Sequence, residues 1–157
     1  MEDGVDKQAV IDAIEKAFAG VKLGNGLGLF EAQGHDDYAS EEECAKLREK
    51  DEKDDWHALK RDDLEQNNPA LSFFDAEGMR FHLPAYLMMN LEKISEYQDM
   101  SFSLSMCYDE SFRSQYDMLN DEQKTAVAMF IKWAMGQSWY DYDVESFKLA
   151  LKDYWQV

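Results

Sequence analysis

The chain has 157 residues, is 45% hydrophobic and 13% aromatic with two prolines, and its 33 acidic residues against 16 basic ones leave a formal net charge of −17. A chain of this length buries roughly 70% of its unfolded surface as one domain, so a single domain over residues 1–157 is expected and disorder is excluded. The charge repels nucleic acid and anionic membrane, which removes both as expected partners, and it suits a basic protein partner, whose complementary field speeds encounter.

The opening Met1-Glu2-Asp3-Gly4 has neither the basic nor the apolar region of a signal peptide. No apolar run approaches the roughly 18 residues that a membrane helix requires, so a cytoplasmic location is expected. The first predicted element is an amphipathic helix from about Asp6 to Ala19, with Val10, Ile11, Ile14, Ala17, Phe18 and Val21 at helical spacing and Asp12, Glu15 and Lys16 on the other face. Gly20 can stop it. Gly24, Gly26 and Gly28 follow, and without a Gly-Lys-Ser/Thr ending they predict a flexible turn rather than a phosphate loop.

Gly34-His35-Asp36-Asp37-Tyr38-Ala39 reads as a loop that leads into a capping box of Ser40 and Glu43. Three acids in the first turn favour the positive end of the helix dipole, and the helix is expected to run to about Lys53. Its apolar face is thin, chiefly Cys44, Ala45 and Leu47, which places it on the surface. Asp54 or Asp55 can cap a short turn carrying Trp56 and Leu59, and Asp62 or Asp63 another carrying Leu64. Residues 31–68 hold 14 acids and six bases, a local balance of −8 that concentrates the acidic face there.

In the stretch from Ser72 to Tyr86, aromatic and apolar residues flank Asp75-Ala76-Glu77-Gly78. Gly78 can take the positive φ of a tight turn, so a short β-hairpin is predicted. Pro84 then fits the first turn of a helix whose buried stripe is Leu87, Met88, Leu91 and Ile94. From Met100 to Tyr108, apolar residues at every second position alternate with Ser101, Ser103, Ser105 and Cys107. Period two predicts a strand that pairs with the hairpin, although an extended loop can show the same alternation.

Two helices close the chain. Asn120 caps a run with Ala126, Val127, Phe130, Ile131 and Ala134 on one face, and Asp143 caps a run with Val144, Phe147, Ala150, Leu151 and Tyr154. The whole predicts a mainly α (α+β) fold: five or six helices around one core, with a small antiparallel β-hairpin or three-stranded sheet.

The side chains best suited to a divalent metal are His35, Asp36, Asp37, Asp54, Asp55 and His57, with His35, Asp37, Asp55 and His57 as the ligand candidates. No His-x-x-x-His or His-Glu-x-x-His pattern places two of them on one helical face, and aspartates just before helices ordinarily serve as N-caps. Asp75 and Glu77 beside Arg80 can tune one another's pKa for acid/base work, but an Asp at a turn more often serves local backbone N–H groups. There is no Gly-x-Ser-x-Gly elbow, and neither Cys44 nor Cys107 has a neighbouring His, so both read as buried structural thiols. No cofactor motif is present. The segment Trp139-Tyr140-Asp141-Tyr142 lies between two helices and is the expected exposed aromatic patch.

The stretch Ser72-Phe73-Phe74-Asp75-Ala76-Glu77-Gly78, with Arg80-Phe81 and Leu83-Pro84-Ala85-Tyr86, resembles a bacterial family of uncharacterised small proteins, a domain of unknown function. The likeness extends to Glu31-Ala32 with Asp37-Tyr38, to Asp54-Asp55-Trp56, to Gln123 and Phe130, and to Tyr154-Trp155. It implies a bacterial origin and a one-domain fold, and no chemistry.

Two readings of function follow. The first is a non-enzymatic acidic binding protein acting on a basic protein partner, of the immunity or inhibitor type, with Asp36, Asp37, Tyr38, Asp54, Asp55, Trp56, Asp75, Glu77, Arg80, Trp139 and Tyr140 as candidate binding residues. The alternative is a small metal-assisted hydrolase using the Asp36/Asp37 and Asp54/Asp55 region. Oligomeric state is left open.

Overall fold

The computed structural model describes residues 5–92, 100–106 and 109–155. Asp6 caps helix α1 (Lys7–Ala17) by accepting the Ala9 N–H, and Val10, Ile14 and Ala17 are buried. They face α8 (Asp121–Ala134), whose own start is a capping box of Asn120 and Gln123. The Gln123 amide also donates to Ala17 O across 3.1 Å, so one side chain closes α8 at its beginning and serves the end of α1.

Helix α5 (Ala76–Glu92) runs through the core. Gly78, Met79, Phe81, Leu83, Pro84, Tyr86, Leu87 and Leu91 are all buried, as expected of a helix that is apolar all round. This overturns the predicted hairpin. Asp75 is a helix cap, its Oδ1 accepting the Gly78 N–H at 2.8 Å, and Gly78 does not have a positive φ. Glycine is required there because the Leu27 carbonyl approaches so closely that a Cβ would lie 2.5 Å from it. Pro84, expected in a first turn, sits in the helix interior.

The predicted strand from Met100 to Tyr108 is also overturned, because Met100–Ser105 is helix α6; Cys107 and Tyr108 lie outside the described residues. Met100 and Leu104 are fully buried, and they are four apart, which is one helical face as well as two even positions of an alternation. The carbonyls of α6 are taken by distant side chains: Tyr116 Oη donates to Ser103 O at 2.8 Å and Trp155 Nε1 to Leu104 O at 2.9 Å. Among the described residues every regular element is helical and no strand occurs. The mainly α expectation stands, and the β-hairpin or three-stranded sheet does not.

The remaining helices are α2 (Leu29–Asp36), α3 (Glu41–Glu49), α4 (Arg61–Gln66), α7 (Glu110–Arg113) and α9 (Val144–Ala150), the last continuing into a wider π turn through Trp155. The Gly34–Asp36 part of the expected loop is therefore helical, and α3 stops short of Lys53. Asp51 turns back and accepts the Phe30 and Glu31 N–H groups at 2.7 and 3.3 Å, capping α2 from outside its own sequence. Gly28, the N-cap of α2, has no side chain, and a Cβ there would collide with Asp51. Lys60, rather than Asp62 or Asp63, is the N-cap of α4, and the two acids lie in its first turn. Among the described residues no helix is long and apolar enough to cross a membrane.

Candidate functional site

Helices α2 and α3 form a hairpin that carries the densest exposed acid. α2 ends in a Schellman motif: the Ala39 N–H reaches Gly34 O at 2.8 Å and the Tyr38 N–H reaches His35 O at 3.2 Å. This geometry places Tyr38 at φ 58°, the only positive φ outside glycine among the described residues. Its side chain is 95% exposed. Gly34 allows the two helices to approach, since a Cβ would stand 2.7 Å from Leu47 and 3.3 Å from the Cys44 thiol. Beside Tyr38 lies a shallow depression of about 440 Å³ bordered by Asp37, Ala39, Glu43, Lys46 and Leu47.

Gln33 Nε2 bridges Asp36 at 3.2 Å and Asp37 at 3.4 Å, which holds these two carboxylates at the end of α2. Glu41, Glu42 and Glu43 follow on the exposed first turn of α3. The Ser40–Glu43 capping box is present, and the Ser40 hydrogen bonds hold the Glu43 carboxyl below its ordinary pKa. Burial raises the pKa of the Cys44 thiol, and the surrounding glutamates push it further in the same direction. It is an inert buried thiol at neutral pH, in keeping with a structural role.

Asp54 and Asp55 belong to a second grouping. Glu52 accepts both of their backbone N–H groups, and Asp55 caps the 3-10 turn Trp56–Ala58. The imidazole of His57 lies between two carboxylates, with Nδ1 2.8 Å from Asp55 Oδ1 and Nε2 2.6 Å from Glu15 Oε1. It stacks on Trp56 with ring centres 3.7 Å apart, and the Trp56 indole donates to Phe18 O at 3.0 Å. Partial burial pulls the His57 pKa down, but the hydrogen bonds to Glu15 and Asp55 outweigh it and leave the ring above the ordinary histidine value. The hydrogen bond from His57 in turn lowers the Asp55 carboxyl.

Trp56 and His57 form one wall of a cleft of about 220 Å³ whose other wall includes Ala85, Met88 and Met89 of α5. The metal-ligand candidates are thus distributed between two places. His35 and Asp37 lie on the α2 end, Asp55 and His57 at the Trp56 turn, and among the described residues no three His, Cys, Asp or Glu side chains converge to hold an ion. Both ring nitrogens of His57 are already engaged by carboxylates.

The third grouping is the start of α5. Asp75 Oδ1 accepts the Leu27 N–H at 3.0 Å in addition to that of Gly78, so it fixes the glycine loop to the helix. Glu77 lies against Gly24, and the Arg80 Nε is buried without a hydrogen-bond partner. Arg48 holds the other side of the same loop by donating to the carbonyls of Gly24 and Gly26 while pairing with Glu31 at 3.0 Å. Asp75 is therefore committed to backbone N–H groups.

At the C-terminal end, Tyr140 is fully buried, its hydroxyl 3.2 Å from Asn90 Oδ1, so it belongs to the core rather than to an exposed patch. Tyr142 is fully exposed. The side chain of Trp139 lies outside what the structure describes.

The model of a family of unknown function, DUF6714, matches residues 6–157. The chain belongs to that family. The DUF6714 match begins at the N-cap of α1 and takes in all three groupings, so the resemblance to a domain of unknown function is met at that level. DUF6714 membership assigns no activity to any of them. No curated protein and no solved structure matches the chain.

Sequence reasoning missed Glu15, Arg48 and Asp51. Glu15 reads as an ordinary solvent-facing position of α1, because its partner His57 lies 42 residues away. Asp51 gives one faint signal, a glycine N-cap at position 28 with no capping side chain of its own.

Proposed function

We propose that this protein is a non-enzymatic binding protein that engages a basic protein partner through the α2–α3 hairpin, in the manner of an inhibitor or immunity protein. The observation that carries the reading is Tyr38. It is a large aromatic, fully exposed at the tip of an acidic hairpin, in a backbone conformation that glycine would adopt at less cost. A residue that opposes local stability at an exposed position fits a role outside folding. Tyrosine is also among the residues that dominate protein interfaces.

The surrounding charge supports the same reading. Asp37, Glu41, Glu42 and Glu43 are exposed around Tyr38, with Lys46 the cation bordering the depression. Such a field attracts Lys- and Arg-rich surfaces and repels acidic ones. The metal-assisted alternative gains no support from the geometry, since the required ligands lie in two separate groupings.

The test is affinity capture from the source cells, read by mass spectrometry at about 50 mM and about 500 mM salt, a range over which screening shortens the reach of surface charge severalfold. Wild type and a Tyr38→Ala variant are compared. Bound proteins are expected to be basic, to be released by salt and to be depleted by the variant. Partners no more basic than the proteome average, or capture indifferent to both salt and Tyr38, would end this reading.

A further inference from the structure

His57 is held by two carboxylates, and a histidine can donate to both only when both of its nitrogens carry protons. The contacts are unequal in origin. Asp55 is two residues away and also accepts the His57 backbone N–H at 3.0 Å, so it keeps its place whatever the state of the ring. Glu15 comes from α1, 42 residues distant, and His57 is its hydrogen-bond partner at 2.6 Å. A neutral imidazole retains one N–H. If that proton stays on Nδ1 facing Asp55, the Nε2 lone pair is left pointing at the Glu15 carboxylate, and the attraction becomes repulsion.

We propose that His57 is a proton-operated latch: as an imidazolium it clamps Glu15 of α1 to the Trp56 turn, and on losing its proton it releases Glu15 and loosens the end of α1 beside the α5 cleft. The second tie between the same two elements is the Trp56 indole N–H to Phe18 O. Since the imidazole stacks directly on that indole, loss of its charge also removes a cation–π contribution at the stack. The latch faces a defined set of charges. Glu15 approaches from α1 and Asp55 from its own turn, Lys22 acts on Asp55 from the glycine loop, and Arg61 of α4 and Glu92 of α5 line the cleft beyond the ring. Arg61 is engaged by Glu65 and by Met89 O, which leaves Glu15 and Asp55 as the groups in contact with the imidazole.

Ring-nitrogen NMR of the full-length protein, labelled at histidine, reads the proton, and solvent exchange of the Trp56 indole N–H, corrected for the intrinsic pH dependence of indole exchange, reads the latch. In wild type the His57 midpoint is expected above the ordinary value of about 6.5, with N–H signals on both nitrogens below it. Protection of the Trp56 indole is expected to fall roughly two- to fivefold as pH rises through that midpoint, the size of a single exposed ion pair. Glu15→Gln alters a half-exposed surface position, so the variant folds; it should lower the midpoint and abolish the step in protection. A His57 midpoint identical in wild type and Glu15→Gln overturns the proposal, and so does Trp56 protection that stays flat across the titration.

Discussion

His82 is fully buried, stacked on Phe74 at 4.3 Å, and hydrogen-bonded through Nδ1 to Gly78 O at 2.7 Å. A carbonyl can only accept, so Nδ1 carries a proton, and because Nε2 is buried without a hydrogen-bond partner the neutral form of the ring is favoured. Burial lowers its pKa from the ordinary 6.5 to about 4. Between those values the unfolded chain takes up a proton that the folded one refuses, so stability is lost as pH falls from about 6.5 toward 4, in total on the order of 3 kcal/mol. His57 acts in the opposite sense: its raised pKa contributes stability that is complete below about 6.5 and is lost as pH rises through its folded value. Asp51, whose pKa burial raises against its two backbone hydrogen bonds, favours the folded state on protonation. Urea unfolding of wild type and His82→Gln at about pH 7, 6 and 5 isolates the first effect, because the other groups cancel in the difference. The gap between the two proteins should narrow steadily on acidification; a constant gap would show that His82 charges in place. Tyr38 permits a second test at this scale. Replacing it by glycine removes a left-handed non-glycine residue without removing a buried contact, so Tyr38→Gly should raise stability by about 0.5–1 kcal/mol. A loss of stability in thermal unfolding would show that Tyr38 holds the fold and is not reserved for a partner.

At the scale of elements, the glycine loop and the first turn of α5 are in backbone contact. A Cβ on Gly26 would stand 2.5 Å from Gly78 N, and one on Gly78 would stand 2.5 Å from Leu27 O, in both cases against main chain that cannot turn aside. Gly20 differs, with a φ of 75° and nothing within 4 Å. Gly26→Ala and Gly78→Ala should each cost about 3 kcal/mol or more, at the upper end of overpacking penalties, whereas Gly20→Ala should cost only about 1 kcal/mol from its backbone conformation. Equal losses at all three positions in denaturant unfolding would mean that the loop can back away from α5. The same elements show what could be read from sequence. Caps were legible where one local side chain makes them, as at Ser40, Asp55 and Asn120. The second half of α5 was legible from Leu87, Met88 and Leu91 after Pro84, with Ile94 outside the described residues; its first half was not, because a helix buried on every side has no polar face to set a period, and Asp-x-x-Gly has the same residues whether it turns a hairpin or caps a helix. α6 was misread because six residues are too few to separate a period of two from a helical one. Of the candidate site, the Asp37–Tyr38 and Asp55–His57 pairs were legible as neighbours in sequence, while Glu15 was invisible because only the packing of α1 brings it to His57.

For the molecule as a whole, charge has two consequences with opposite dependence on salt. A net charge of −17 repels itself most strongly in the compact state. The ion pairs of Lys16 with Glu122, Lys46 with Glu42 and Lys148 with Glu145 lie on exposed side chains, where each contributes at most about 1 kcal/mol. The Arg48–Glu31 pair is more shielded, and it serves the glycine loop rather than the surface balance. Unscreened repulsion among the exposed acids of residues 31–68 therefore outweighs these pairs. Raising ionic strength from about 10 mM to about 300 mM shortens the Debye length from roughly 30 Å to about 6 Å, so the melting temperature should rise with added sodium chloride. Binding to a basic partner draws on the same field with the reverse sign, and it should weaken over the same range. Calorimetric melting and equilibrium binding measured on one salt series separate the two. Melting that rises while affinity falls is the expected pair of slopes. A melting temperature that falls with salt would show that attractive pairing dominates the surface, and the acidic hairpin would then be a self-neutralised face with little field left to offer a partner.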